Sequence, residues 1–270
     1  MAQARSWIQL SGSMGETTFK KRGKKTFAND KVVISKAKVK SHKSYGPLRQ
    51  NGSELSNASS NARIIRQALQ DVVHYCKDPK MYARLTSEVM KVLKRDNSAG
   101  AFTRGQVARA ENMGHLLGFN FNEKAQLRAK FNVAFTTEVN RETGEVKIKI
   151  ASFKPARAIK SPPLATQFKI RAQVAQIDFN PAIAEHAKYE RMGGYASDFI
   201  QLNETPTDPQ SITLPIKTGK ISTIFIALGV DFWDASNPVY AEIEQSVRVS
   251  AGCIVAVDEG EEVAFGEIPA

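Results

Sequence analysis

Two aspartates lie three residues apart in Asp231-Phe232-Trp233-Asp234, directly after a nearly unbroken apolar run. Carboxylates at a strand end can serve a glycosidase as acid and nucleophile, or can hold a hard cation. Nothing upstream supplies the remaining groups of either site, so Trp233 is expected as a core or interface residue. His186 and Glu190 are four apart, the spacing that brings two side chains together on a helix. No third ligand accompanies them, and a surface pair is the simpler reading. His42, His74 and His115 have no Ser or Cys partner for nucleophilic chemistry. Cys76 and Cys253 have no CxxC context and are expected as two buried thiols, not as a disulfide or zinc ligands. Gly219-Lys220 lacks the upstream glycines of a phosphate loop. Asp258, Glu259, Glu261 and Glu262 lack the spacing of a calcium loop and read as a solvated or docking surface. The expectation is a protein that is not an enzyme, with no catalytic residue, no metal and no cofactor.

Charge carries more information. The chain of 270 residues has a net charge of +11, and residues 1–50 hold twelve Lys or Arg against Glu16 and Asp30. Residues 51–200 are also basic, and residues 201–270 are acidic. Such a division suits a protein that sits against other large charged surfaces. The densest cluster is Lys20, Lys21, Arg22, Lys24 and Lys25, flanked by Phe19 and Phe27. Rows of cations pair with phosphates, and aromatics stack on exposed bases. Lys36, Lys38 and Lys40 extend the series, as do Arg63 and Arg66, then Arg104 and Arg109. The same groups would equally grip an acidic protein neighbour.

The elements that must position these groups follow from periodicity. Residues 1–52 are glycine-punctuated and basic, and read as an extended arm with strand-like runs near Thr17–Phe19 and Val32–Val39. In the second run, Lys36, Lys38 and Lys40 would form a ladder on one face. Residues 53–122 read as a helical segment. Leu55, Ala58, Ala62, Ile65, Leu69, Val72 and Cys76 make one stripe at heptad spacing. Asp78-Pro79 starts a second helix to about Lys94, with Tyr82, Leu85, Val89 and Val92 facing inward. A third short helix is expected over 104–117.

Residues 123–270 read as strands. Ala129, Phe131, Val133 and Phe135 alternate, and Asn140–Gly144 turns into Val146, Ile148 and Ile150. Phe168 to Val174 alternate until a phase slip near Val174–Ala175 implies a bulge. Residues 181–192 are expected as a brief helix. Pro215 places Ile212–Ile216 at an edge. Ile221–Phe232 reads as a central strand, followed by Val247–Val257. The expected class is α+β: a basic extended N-terminal arm, a small antiparallel helical layer and a C-terminal antiparallel β-sandwich of immunoglobulin or jelly-roll type.

Gly12-Ser13-Met14-Gly15, Thr18-Phe19 and Arg22-Gly23-Lys24 resemble the opening of a group of Bacteroidetes and Bacteroidetes-phage proteins. In those, a glycine-rich signature precedes an aromatic–Gly–Lys/Arg stretch, a helical pair and a β-rich C-terminal half. The resemblance rests on about thirty residues and the order of elements, and it implies no activity. The resulting expectation is a non-enzymatic structural or assembly protein of phage-virion kind, docking through its basic arm. Its partners would be copies of itself or a larger protein assembly. The alternative is a nucleic-acid-binding protein that uses the arm for sequence-independent phosphate contacts. No run of 18 apolar residues is present, so no membrane span is expected. The start lacks a secretory apolar stretch, so cytoplasmic synthesis is expected, with incorporation into a virion as a later location.

Overall fold

A computed structural model of the chain describes residues 2–4, 11–23, 25–31, 34–95, 110–179, 188–219, 222–234, 250–260 and 263–264. The chain divides into two compact units, residues 1–49 and 50–270.

In the first unit, β1 (Ala2–Ala4), β2 (Gly12–Met14), β3 (Thr17–Arg22) and β4 (Lys25–Asp30) form an antiparallel sheet in the order β1-β4-β3-β2. The β2–β3 and β3–β4 turns each contain a glycine with positive φ, Gly15 and Gly23, as tight hairpins require. The basic N-terminal stretch is therefore a folded sheet over most of its first thirty residues, not a single extended arm. The expected strand at 32–39 is also corrected. Lys36–Ser41 is a helix, α1, whose N-cap Ser35 accepts the Lys38 N–H at 3.2 Å. A capping serine followed by Lys and Ala favours helix over alternation. Val32 and Val33 lie outside the described residues. Among the described residues, no side chain between Ser11 and Arg49 is buried.

In the second unit, the helical stripe is present but divided into α2 (Gly46–Ala68) and α3 (Gln70–Cys76). Every stripe residue from Ala58 to Cys76 is buried, whereas Leu55 is exposed. The break at Leu69 has a chemical cause. The Asp71 N–H, whose helical partner would be Gln67 O, donates instead to Gln173 Oε1 at 2.8 Å. Gln67 O accepts from Arg191 Nε at 3.1 Å. Both groups freed by the break are thus satisfied by side chains of the sheet. Asp78 caps α4 (Met81–Arg95), its Oδ1 accepting the Lys80 N–H at 2.7 Å. The helix expected at 104–117 is a 3-10 segment over Ala110–Leu116 in its described part.

The strand expected from residue 126 starts later. Leu127–Lys130 is a helical turn, α5, and Phe131 makes only an isolated bridge to Ile159. The hairpin of β5 (Phe135–Asn140) and β6 (Glu145–Ile150) follows, with Val146, Ile148 and Ile150 buried and Lys147 and Lys149 exposed. After a turn of helix, α6 (Pro155–Ala158), come β7 (Gln167–Asp178), β8 (Lys188–Ala196), β9 (Ile200–Gln201), β10 (Gln210–Pro215), β11 (Thr223–Trp233), β12 (Ala251–Asp258) and β13 (Val263–Ala264). Among the described residues these make a three-stranded sheet, β10-β6-β5, and a larger sheet, β13-β12-β11-β7-β8, with β9 also on β7. All pairings are antiparallel. Pro215 lies on an edge strand, and the β7–β8 register shifts between Val174 and Ala175. Glu190 lies on β8, not on a helix, and His186 falls outside the described residues. Val247 and Val249 also fall outside them.

The chain is α+β, and within residues 50–270 helices and strands share one body. One face of the larger sheet packs Ala175, Ile177, Phe225 and Ala227 against α2, α3 and α4. The other face packs Phe168, Ile170, Leu228 and Val230 against Ile148 and Leu214 of the smaller sheet. The expected helical segment (53–122) and β domain (123–270) therefore have a common core. Where α3 crosses the sheet, paired Gly229 and Gly252 of β11 and β12 lie beneath Val72 and Cys76. Their missing side chains let helix and sheet approach closely. Among the described residues, no helix is long and apolar enough to cross a membrane.

Candidate functional site

The carboxylates that suggested chemistry have structural partners. Asp231 is fully buried; Arg171 Nε donates to its Oδ1 at 2.7 Å and Arg171 Nη2 to its Oδ2 at 3.2 Å. The Trp233 indole N–H donates to the same Oδ2. The Arg171 guanidinium lies 3.4 Å from the centroid of Tyr75, and Trp233 packs edge-on against Phe199. Asp231 is thus committed to an ion pair between neighbouring strands β7 and β11, whose arginine also reaches Tyr75 of α3, and Trp233 bonds the same carboxylate. Asp258 is similarly held by Arg141 at 3.0 and 3.1 Å, which pins the β5–β6 turn to the end of β12. Glu259 accepts the Gly114 N–H, and Glu261 and Glu262 lie outside the described residues.

The other titratable groups are also dispersed. His42 bonds Ser44, His74 meets Tyr75 edge-on, and His115 meets Arg95. Both cysteines are free and buried; Cys76 Sγ donates to Ala251 O at 3.2 Å. Burial pushes the Cys253 thiol up to about 12, opposed only in part by Arg128. Burial alone would raise the Asp78 carboxyl, but the Glu123 N–H, the Arg84 guanidinium and the Lys80 N–H outweigh it and lower it. Among the described residues, no group of three His, Cys, Asp or Glu is placed to hold a metal ion.

The basic residues are more organised than the sequence alone suggests. Cross-strand partners share a face, and successive residues alternate. Lys20 pairs with Phe27, Arg22 with Lys25 and Thr18 with Asn29, so these six line one face of the N-terminal sheet. Phe19 pairs with Ala28, Lys21 with Thr26 and Thr17 with Asp30 on the opposite face, where Met14 joins them opposite Thr17. Phe19 and Phe27, grouped by sequence, therefore face opposite ways, as do Lys21 and its neighbours. One face is cationic with a central aromatic ring; the other carries Met14, Phe19 and Ala28. Lys24 lies outside the described residues. On α1, Lys36 and Lys40 are four apart and share a side, while Lys38 points away from them. The period-two ladder does not form.

Arg63 and Arg66 lie three apart on α2, beside α4. Tyr82, expected to face inward, is 43% exposed, and the Arg66 guanidinium stacks 4.1 Å from its ring centroid. This aromatic was not recognisable as a surface group. It sits one position past Met81, which begins the buried stripe continued by Leu85, Val89 and Val92, and so falls at the stripe's edge. Arg104 and Arg109 lie outside the described residues. No protein-family model matches this chain, and no curated protein matches it.

Proposed function

We propose that this chain is a non-enzymatic structural or assembly protein that docks through residues 1–49 onto neighbouring copies. The observation that carries this reading is the two-faced N-terminal sheet. It has four short strands, a basic face, a mixed face that sets Met14, Phe19 and Ala28 beside Lys21 and Asp30, and no buried described residue between Ser11 and Arg49. Small sheets gain stability by covering a hydrophobic face, so this one is suited to lie on another surface. The acidic residues of 201–270 in a second copy offer charge complementary to Lys20, Arg22 and Lys25. The two-sheet arrangement is in keeping with an immunoglobulin or jelly-roll scaffold, and the opening signature with a phage-virion role. Light scattering of the full chain across salt tests the reading. Oligomers that dissociate as salt rises are expected; a monomer at every salt and concentration defeats it.

A second reading has its own support. Phe27 flanked by Lys20, Arg22 and Lys25 on one sheet face combines a stacking platform with phosphate-pairing groups. On this reading the full chain retards single-stranded nucleic acid at low salt, with affinity falling steeply as salt rises. No retardation of DNA or RNA at low salt rules it out.

A further inference from the structure

A second cationic feature lies wholly within residues 50–270. Ser59, Arg63 and Arg66 of α2 face Tyr82 and Thr86 of α4 across a cleft of about 40 Å³. Ala62 and Leu85, both buried, make its apolar base. Neither Arg63 nor Arg66 has a carboxylate partner among the described residues. Among the other described arginines of this body, Arg84, Arg141, Arg157 and Arg171 each meet Asp or Glu. Arg66 is held in place by stacking on Tyr82. Lys77 adds charge from the other side, its Nζ donating to Tyr82 Oη at 3.3 Å. Thr86 Oγ1 donates to Tyr82 O at 2.9 Å, so it closes the far wall without offering its proton. Ser59 supplies a hydroxyl at the rim.

We infer that this α2–α4 cleft binds the phosphate group of a nucleotide unit. Two guanidinium forks one helical turn apart straddle an anion and donate to more than one of its oxygens. The low-polarity base strengthens that attraction relative to open surface. A phosphate offers acceptors in several directions, matching the donors Ser59, Arg63 and Arg66 on α2. The exposed part of Tyr82 beside the anion position gives an attached base or sugar something to lie against. A carboxylate side chain of a protein would make no use of the exposed part of Tyr82 that Arg66 leaves open. The inference deepens the nucleic-acid reading by adding a site independent of the N-terminal sheet.

The test uses the full chain, with inorganic phosphate, AMP and a ten-residue oligo-dT as probes. Binding is followed at low salt by the arginine Nε–H signals in NMR and by fluorescence anisotropy of labelled oligo-dT. Phosphate and AMP should shift the Arg63 and Arg66 signals. Arg63→Gln/Arg66→Gln should weaken binding about tenfold or more, at an unchanged unfolding midpoint. Arg63→Gln alone, at an exposed position, should weaken it several-fold and guards against misfolding of the double variant. Oligo-dT binding more tightly than AMP with a steep salt dependence identifies a polynucleotide as the source. Equal affinity identifies a free nucleotide. A chain with Lys20, Arg22 and Lys25 changed to Ser separates the two sites. If it loses oligo-dT but keeps the phosphate shifts, the sheet reading holds and the cleft remains a free-nucleotide site. The inference is overturned if phosphate leaves the Arg63 and Arg66 signals unmoved. It is overturned equally if the double variant binds as well as the parent, or if an acidic peptide binds the cleft more tightly than AMP.

Discussion

Gly229→Ala tests how the larger sheet of residues 50–270 is held to its helices. A β-carbon at Gly229 would lie 2.8 Å from Val72 Cγ1 and 2.9 Å from Cys76 Sγ. Both atoms belong to buried side chains of α3, and Gly229 pairs with Gly252 in the middle of β11 and β12. Ordinary carbon contacts begin near 3.5 Å, so α3 must retreat by roughly half an ångström or the sheet must bend. Overpacking of this kind costs about 1–3 kcal/mol. The loss of glycine freedom in the unfolded chain returns about 0.4–1 kcal/mol. The net expectation is a destabilisation of about 1–2 kcal/mol. Urea unfolding followed by circular dichroism measures it as a lowered midpoint with an unchanged slope. Val72→Ala removes one of the two opposing atoms, so Val72→Ala/Gly229→Ala should be more stable than the sum of the single changes implies. A Gly229→Ala protein as stable as the parent, or strict additivity in that cycle, refutes the close-approach argument.

Three further outcomes follow from the same body. Asp231→Ala leaves Arg171 largely buried without its counter-charge and should cost about 3 kcal/mol in urea unfolding; replacing both partners with apolar residues should recover most of it. The Asp78 carboxyl sits below its ordinary value of 3.8, so its stabilisation is full at neutral pH and is lost as pH falls through that region. The stability gap between the parent and Asp78→Asn, read from urea midpoints, should therefore be wide at pH 7 and narrow progressively as pH falls below 3.8. Buried Cys76 and Cys253 should resist iodoacetamide at pH 8 in the native protein and label together in urea; rapid native labelling would contradict their burial.

Much of the second body was legible because burial imposed a period. Val146, Ile148 and Ile150 alternate with lysines, and the chain there is a half-buried hairpin strand. Thr223–Trp233 is apolar on both faces because helices cover one and a sheet the other. Pro215 marked an edge because it cannot donate within a ladder. The failures have equally local causes. Val33, Ser35, Ala37 and Val39 alternate, yet the Ser35 cap turns the following residues into helix. Ala129 and Phe131 alternate with polar residues, but the chain there makes a helical turn and then a single bridge. The break at Leu69 depends on Gln173 and Arg191, more than a hundred residues away in sequence. The N-terminal sheet was only partly visible because Lys- and Thr-rich strands carry little hydrophobic signal. Its two-sidedness appears only once the Gly23 turn sets Lys20 opposite Phe27.

The most direct test of the docking account is the native mass of the full chain, with absorbance at 260 nm recorded for bound nucleic acid. The parent is compared with a variant carrying Lys20→Ser, Arg22→Ser and Lys25→Ser. The account predicts a defined, nucleic-acid-free oligomer for the parent at low salt and smaller species for the variant. A parent that is monomeric throughout, or an oligomer of unchanged mass in the variant, contradicts it.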